Sequence, residues 1–266
     1  MTEVALPRGS LPLHLLKIEV LSYLKHPLAV FWTFAYPIIL FFLLNAIFGG
    51  SSARTAAGGV SYTDYLVSGL AVMTVITTAL FGFAVALVEL RARGRLKLFG
   101  MMPFSKSTFF LSFTASRVMI LVVFCLVFVG VLSHLAPNTH PITLPNLLLL
   151  CLFLASAGLV LIGCSILVTS LIKRTSTAHA IINFINIPVI FLSDLFLPAS
   201  ILPKWLFAIV KWSPFFIFTE KYRAVYADTY SLADIALWTG VLALSGIVLI
   251  NAASRLFTWN PSEAGY

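Results

Sequence analysis

Six uninterrupted apolar stretches constrain this chain more than any other feature: Leu28–Phe48, Leu66–Val88, Phe113–Ser133, Asn146–Ile172, Ala178–Leu197 and Ala233–Leu256. Each is close to the roughly 20 residues that an α-helix needs to cross a hydrocarbon core. A membrane strand would alternate over about 10 residues instead, so continuous runs predict helices. Charged residues make up only 10% of the 266, and 60% are hydrophobic. A soluble chain of this size has too much surface to cover with so few charges. The expectation is an all-α integral membrane protein forming one domain over residues 1–266. Soluble enzymes and nucleic-acid binders are excluded, despite a net charge of +8.

Membrane topology accounts for that charge. Of the 17 Lys and Arg, one side of the six-span map carries 12: Arg8, Lys17, Lys25, Arg91, Arg93, Arg95, Lys97, Lys106, Arg117, Lys173, Arg174 and Arg255. The other side has Arg54, Lys204, Lys211, Lys221 and Arg223. Short loops rich in Lys and Arg stay in the cytoplasm. With an even number of spans, both termini are expected there, and the protein is expected to be integral to the cell (inner) membrane. Gly49, Gly50 and Ser51 imitate a signal-cleavage site. The apolar run before them starts too late for a signal peptide, so the first span reads as a retained anchor.

Several chemistries lack their motifs. No Gly is followed by Lys, so the phosphate-cradling G-x-x-x-x-G-K-[ST] loop is absent, as are H-E-x-x-H and G-x-S-x-G. His14, His26, His134, His140 and His179 are scattered, and no acidic residue lies near a span centre. Proton-coupled carriers usually place such groups inside spans. Cys125, Cys151 and Cys164 fall within spans and read as small hydrophobes. No metal site and no cofactor bound by this chain are expected.

Three segments between or before the spans are unusual. Residues 10–26 read as an amphipathic interfacial helix with Leu13, Leu16, Val20, Tyr23 and Leu24 on one face and His14, Glu19, Ser22 and Lys25 elsewhere. It serves either as a topology anchor or as a dock for a partner. Residues 91–102 interleave cations with Leu96, Leu98, Phe99, Met101 and Met102 before Pro103. A short helix exposing Leu, Phe and Met suits a partner's groove; the competing reading is a basic loop on acidic headgroups. Residues 198–232 contain Pro198, Pro203 and Pro214 with apolar runs too short to cross. These read as re-entrant or interfacial helices on the outer side, with Trp205, Trp212, Tyr222 and Tyr226 at the aromatic belt.

Polar side chains also sit inside the spans. Asn183 and Asn186 share a helix face near Pro188, Ser193 and Asp194. Span two contributes Thr74, Thr77 and Thr78, and span one Tyr36, Pro37 and Asn45. Each needs a partner in lipid, supplied either by a neighbouring helix or by cargo in a path.

The order of these features resembles the membrane subunits of ATP-binding-cassette (ABC) transporters of the type-2 exporter kind. After span two that family often reads Glu-Arg-Glu-x-Gly-Thr-Leu with a Pro nine residues past the Gly. Arg91, Gly94, Leu96 and Pro103 stand at those positions, while Leu90, Ala92 and Arg95 depart from the pattern. A second pattern appears as Pro188, Ser193-Asp194, Leu202-Pro203-Lys204-Trp205, Ser213-Pro214 and Arg223, with Asp194 in place of Gly and Ser213 in place of Asn.

The resemblance implies six transmembrane helices, an N-terminal interfacial helix, a cytoplasmic coupling helix over 91–102 and re-entrant outer helices between spans five and six. It implies that Arg91, Gly94, Leu96, Phe99, Met101, Met102 and Pro103 couple to an ATPase. Tyr36, Asn45, Thr74, Thr77, Thr78, Asn183, Asn186 and Asp194 are the substrate-path candidates. Pro198, Pro203, Trp205, Trp212, Pro214 and Arg223 are the outer-gate candidates. Expected partners are two ATPase subunits, which bind the ATP and Mg, a second permease copy as homodimer or heterodimer, and the lipid bilayer. The expected function is export of an amphipathic small molecule of drug or antibiotic type, or of a lipid-linked glycan. An ion-coupled secondary carrier, or an integral membrane enzyme acting on lipids or peptides, is the alternative.

Overall fold

The computed structural model describes residues 11–48, 61–101, 105–135, 142–171, 177, 180–181, 184–185, 188–190, 193, 195 and 203–257. Among them the chain is helical, with no strand. The helices are α1 (Leu11–Leu24), α2 (Pro27–Phe48), α3 (Tyr62–Ala92), α4 (Arg95–Gly100), α5 (Lys106–Leu135), α6 (Leu144–Leu171), α7 (Lys204–Val210), α8 (Pro214–Tyr226) and α9 (Leu232–Leu256). Of these α2, α3, α5, α6 and α9 are long and apolar enough to cross a membrane. The expected fifth span, Ala178–Leu197, lies for the most part outside the described residues. So do Met102, Pro103, Asn183, Asn186, Asp194 and Pro198.

Local chemistry sets the helix starts. Pro27 and Pro214 open α2 and α8 at positions where a backbone N–H would have no helical partner. Ser61 caps α3: its Oγ accepts from Asp64 N at 3.1 Å and donates to Asp64 Oδ2 at 2.8 Å. That cap starts the helix at Tyr62, ahead of the expected Leu66, and Asp64 is thereby buried in its first turn. Ser105 accepts from Thr108 N at 3.2 Å, so α5 also starts early, at Lys106 rather than Phe113. Gly94 adopts φ +69°, a left-handed turn that ends α3 and redirects the chain into α4.

The core sits around α3, in which every residue from Tyr62 to Val75 is buried. At the rim, α9 leaves Leu237, Val241, Leu244, Ile247 and Val248 exposed, the surface of a helix that faces lipid tails. Apolar side chains gain little by exchanging lipid for protein, so close backbone approach at small residues carries helix association. Helices α6 and α9 do this twice. A Cβ on Gly246 would lie 2.6 Å from Leu159 Cβ and 2.8 Å from Val160 N, and one on Gly163 would lie 2.7 Å from Leu249 Cβ. A Cβ on Gly69 of α3 would overlap the Leu195 carbonyl, which fixes that point of the 172–202 segment against the core.

Among the described residues, two π-helical turns interrupt the spans, Phe31–Ala35 in α2 and Ile76–Gly82 in α3. A widened turn frees backbone carbonyls that lipid cannot satisfy. Ser165 of α6 answers the second: its Oγ lies 2.9 Å from Ala79 O and 2.6 Å from Leu80 O. Ser165→Ala is expected to cost about 1–3 kcal/mol, because a buried acceptor then goes unmet. A lowered unfolding midpoint in detergent, with Ser165→Thr retaining the native value, is the measurement.

Helix α1 turns the middle of the expected face inward, with Leu16 and Val20 half-buried and Tyr23 buried, but not its two ends. Leu13 and Leu24, read as part of the apolar stripe, are 68% and 52% exposed. Glu19, placed away from that stripe in the sequence reading, is half-buried beside the buried Tyr23. The reason is tertiary. Arg117, a buried cation on α5, acts on the Glu19 carboxyl, while His14, Ser22 and Lys25 stay exposed.

Candidate functional site

The ends of α3 and α9 and the starts of α4 and α5 carry Arg91, Arg93, Arg95, Lys106 and Arg255, and form a basic end. A clasp holds them together. Arg91 Nη1 donates to Thr169 O at 2.9 Å, and the Arg91 guanidinium lies 4.9 Å over the Phe257 ring. Lys106 Nζ donates to Phe257 O at 2.9 Å, and Phe110 meets the Phe257 ring edge-on at 5.0 Å. Arg91 therefore turns into the bundle and unites three helix ends.

Beyond the clasp, α4 projects after the Gly94 turn. The sequence reading placed its apolar side chains outward together, whereas the structure divides them. Leu96 is buried, and Phe99 is half-buried with its ring 5.0 Å from Phe109, which stacks on Phe113 at 5.5 Å. Leu98 and Met101 face outward, at 55% and 75% exposure. The period of a helix causes this division: Leu96 and Phe99 are three residues apart and share one face. Exposed neighbours Arg93 and Glu89 pair at 3.5 Å, a contact of little energetic weight.

Arg117 lies about three turns inside α5. The early start of that helix lifts it from the foot of the span, where the sequence reading placed it. Its side chain is 8% exposed, its guanidinium lies 4.5 Å over the Tyr23 ring and 5.3 Å over the Phe113 ring, and its Nε has no hydrogen-bond partner. Tyr23 OH is 2.5 Å from Thr33 Oγ1 and 3.3 Å from Ala29 O. Thr33 Oγ1 is in turn 3.4 Å from Thr78 Oγ1. A polar string thus runs from α1 through the π-turn of α2 to the π-turn of α3. Burial pushes the Glu19 carboxyl above its ordinary value, and Arg117 and then Arg95 pull it partly back. Tyr23 is also pushed up by burial.

The substrate-path candidates that are described do not share one chamber. Thr74 and Thr77 donate to Leu70 O and Met73 O of their own helix, each at 2.9 Å. Thr78 belongs to the string just described. Asn45 accepts from Thr63 Oγ1 at 3.0 Å at the opposite end of the bundle, and Tyr36 is half-buried with its ring 4.8 Å from Trp32.

At that opposite end, α8 inserts Phe218, Tyr222 and Tyr226, one residue per turn along one face. Phe218 stacks on Phe153 at 5.3 Å, and Tyr222 OH lies 3.4 Å from Cys125 Sγ. Arg223 lies 3.8 Å over the Tyr65 ring, and its Nε donates to Ser68 Oγ at 3.4 Å. The other described gate candidates point away: Pro203 and Pro214 are exposed, as are Trp205 at 68% and Trp212 at 76%. Sequence reasoning missed Glu19, Thr33, Arg117 and Ser165 in these roles. Only Arg117 left a signal, a cation inside an apolar run.

Comparison with known families gives one match: the family model described as ABC-2 type transporter covers residues 13–227. No curated protein matches the chain.

Proposed function

Because the chain belongs to the ABC-2 type transporter family and is an ABC transporter permease subunit, we propose that it forms the passage of an exporter driven by two separate ATPase subunits. Those partners bind the ATP and Mg and perform the hydrolysis. A second permease copy, identical or related, completes the passage, with the basic end and both termini in the cytoplasm of a cell whose inner membrane holds the complex. The observation that carries this reading is α4. It hangs beyond the clasp at the basic end, anchored by Leu96 and Phe99, with Leu98 and Met101 offered outward. A partner shifts a bundle between states only through a difference in its contacts with them. A short helix anchored on the α5 start by Phe99 is placed to transmit such a difference.

The cargo is an amphipathic molecule of drug or antibiotic type, or a lipid-linked glycan. The support is a chain with 23 Phe and few charges within its spans. Helices α7 and α8 act as re-entrant outer helices, α8 sealing the passage with Tyr222 and Tyr226 while α7 lies at the aromatic belt. The tagged chain is expected to co-purify with an ATPase. Inverted membrane vesicles containing the pair are expected to accumulate a fluorescent amphipathic dye when ATP is added. Accumulation that follows a proton gradient without ATP would overturn the proposal.

A further inference from the structure

We infer that Glu19 and Arg117 are positioning residues of the transport cycle, forming with Tyr23 a latch through which α1 sets the two facing π-helical turns. The inference rests on the reading that an ATPase partner drives the chain.

Three observations carry it. The first is a cost that the two ring contacts of Arg117 offset only in part. Arg117 sits within an apolar span with its Nε unmatched, and a buried donor without an acceptor opposes folding. A Leu or Met at that position would pack against Tyr23 and Phe113 with no such penalty. Burial likewise raises the Glu19 carboxyl above its ordinary value, with Arg117 and then Arg95 opposing. Ionic groups kept at the expense of stability are found where a switch or a register is set.

The second observation is connectivity. Tyr23 is the one buried side chain among the described residues of α1, and it joins Arg117 to the string. Its ring carries the Arg117 guanidinium, and its hydroxyl meets Thr33, which meets Thr78. Any rotation or withdrawal of α1 acts on Tyr23, and through it on Phe31–Ala35 and Ile76–Gly82 together. π-helical turns are frequent at functional sites, and each has a narrower α-helical alternative.

The third is reach toward α4. Glu19 is half-buried on α1 one turn before Tyr23, and Arg95, the first residue of α4, acts with Arg117 on its carboxyl. Movement of α4 changes the field at Glu19, and that change shifts the preference of α1 for its latched position.

The test uses the complex of the chain with its co-purified ATPase in proteoliposomes, reading ATP hydrolysed and amphipathic dye moved in the same sample. Glu19→Gln, Tyr23→Phe and Thr33→Val keep shape and remove one polar link each. Each is expected to keep hydrolysis within twofold and an unfolding midpoint no lower than wild type for Glu19→Gln, while dye moved per ATP falls at least fivefold. The pair Glu19→Gln/Tyr23→Phe is expected to be no worse than the weaker single variant, because both break one string. An unchanged dye-to-ATP ratio in all three variants overturns the latch and leaves ATP-driven export standing. Absence of ATP-dependent dye movement in the wild-type complex removes the underlying reading as well. A Glu19→Gln chain that no longer folds overturns the inference too, since the carboxylate would then serve the fold; Thr33→Val tests the far link independently of that position.

Discussion

Replacing Leu98 and Met101 together by Asp is expected to release the ATPase from the permease and stop ATP-driven dye movement, with the chain still folded in the membrane. Both side chains are exposed and touch no core, so their loss leaves the bundle alone. Against a partner's apolar groove, each new carboxylate must be desolvated without a counter-charge. Burial of an unmatched polar group costs about 1–3 kcal/mol by protein mutational measure, and more for a charge. Two such costs weaken association by at least about 30-fold, since 1.4 kcal/mol is a factor of ten. The comparison that isolates the effect is Phe99→Asp. That substitution drives a carboxylate against Phe109, and is expected to lower the unfolding midpoint as well as transport. Retained co-purification and transport in Leu98→Asp/Met101→Asp would dismiss α4 as the point of contact.

Gly246→Leu is expected to destroy the α6–α9 contact outright. The added side chain would enter space held by the Leu159 and Val160 backbone, which cannot rotate away as a side-chain tip can. Overpacking against mobile side chains costs about 1–3 kcal/mol; against backbone the expected loss is more than about 3 kcal/mol. The readout is loss of monodisperse protein on extraction, or an unfolding midpoint too low to measure. Gly240→Leu, on the same helix with open space around its Cβ position, is the matched control and is expected to behave as wild type.

The division between what hydropathy reveals and what it hides follows from the physics of each feature. Long apolar runs need no tertiary knowledge, so α2, α6 and α9 begin within two residues of the expected Leu28, Asn146 and Ala233. Helix starts that rest on caps were harder to see. Tyr62–Tyr65 looks like loop on composition, yet the Ser61–Asp64 exchange makes it the first turn of α3. The half-burial of Glu19 could not be read from α1 alone, because Arg117, which acts on its carboxyl, lies on another helix. In the same way, Arg91 looked like a surface cation until Thr169 O and the Phe257 ring were brought to it. The π-helical turns leave no mark in sequence at all. What supports one of them, Ser165, sits far along the chain on α6.

The backbone contact at Gly163 and Gly246 has a practical corollary for anyone watching this protein at work. Two helices in van der Waals register at their main chains cannot slide or splay without losing both contacts at once. Spin labels or fluorophores on the outer faces of α6 and α9 should therefore report a constant separation through every nucleotide condition. Such a pair supplies a fixed ruler inside the molecule, against which displacements of α1, α2 and α4 can be triangulated in absolute terms.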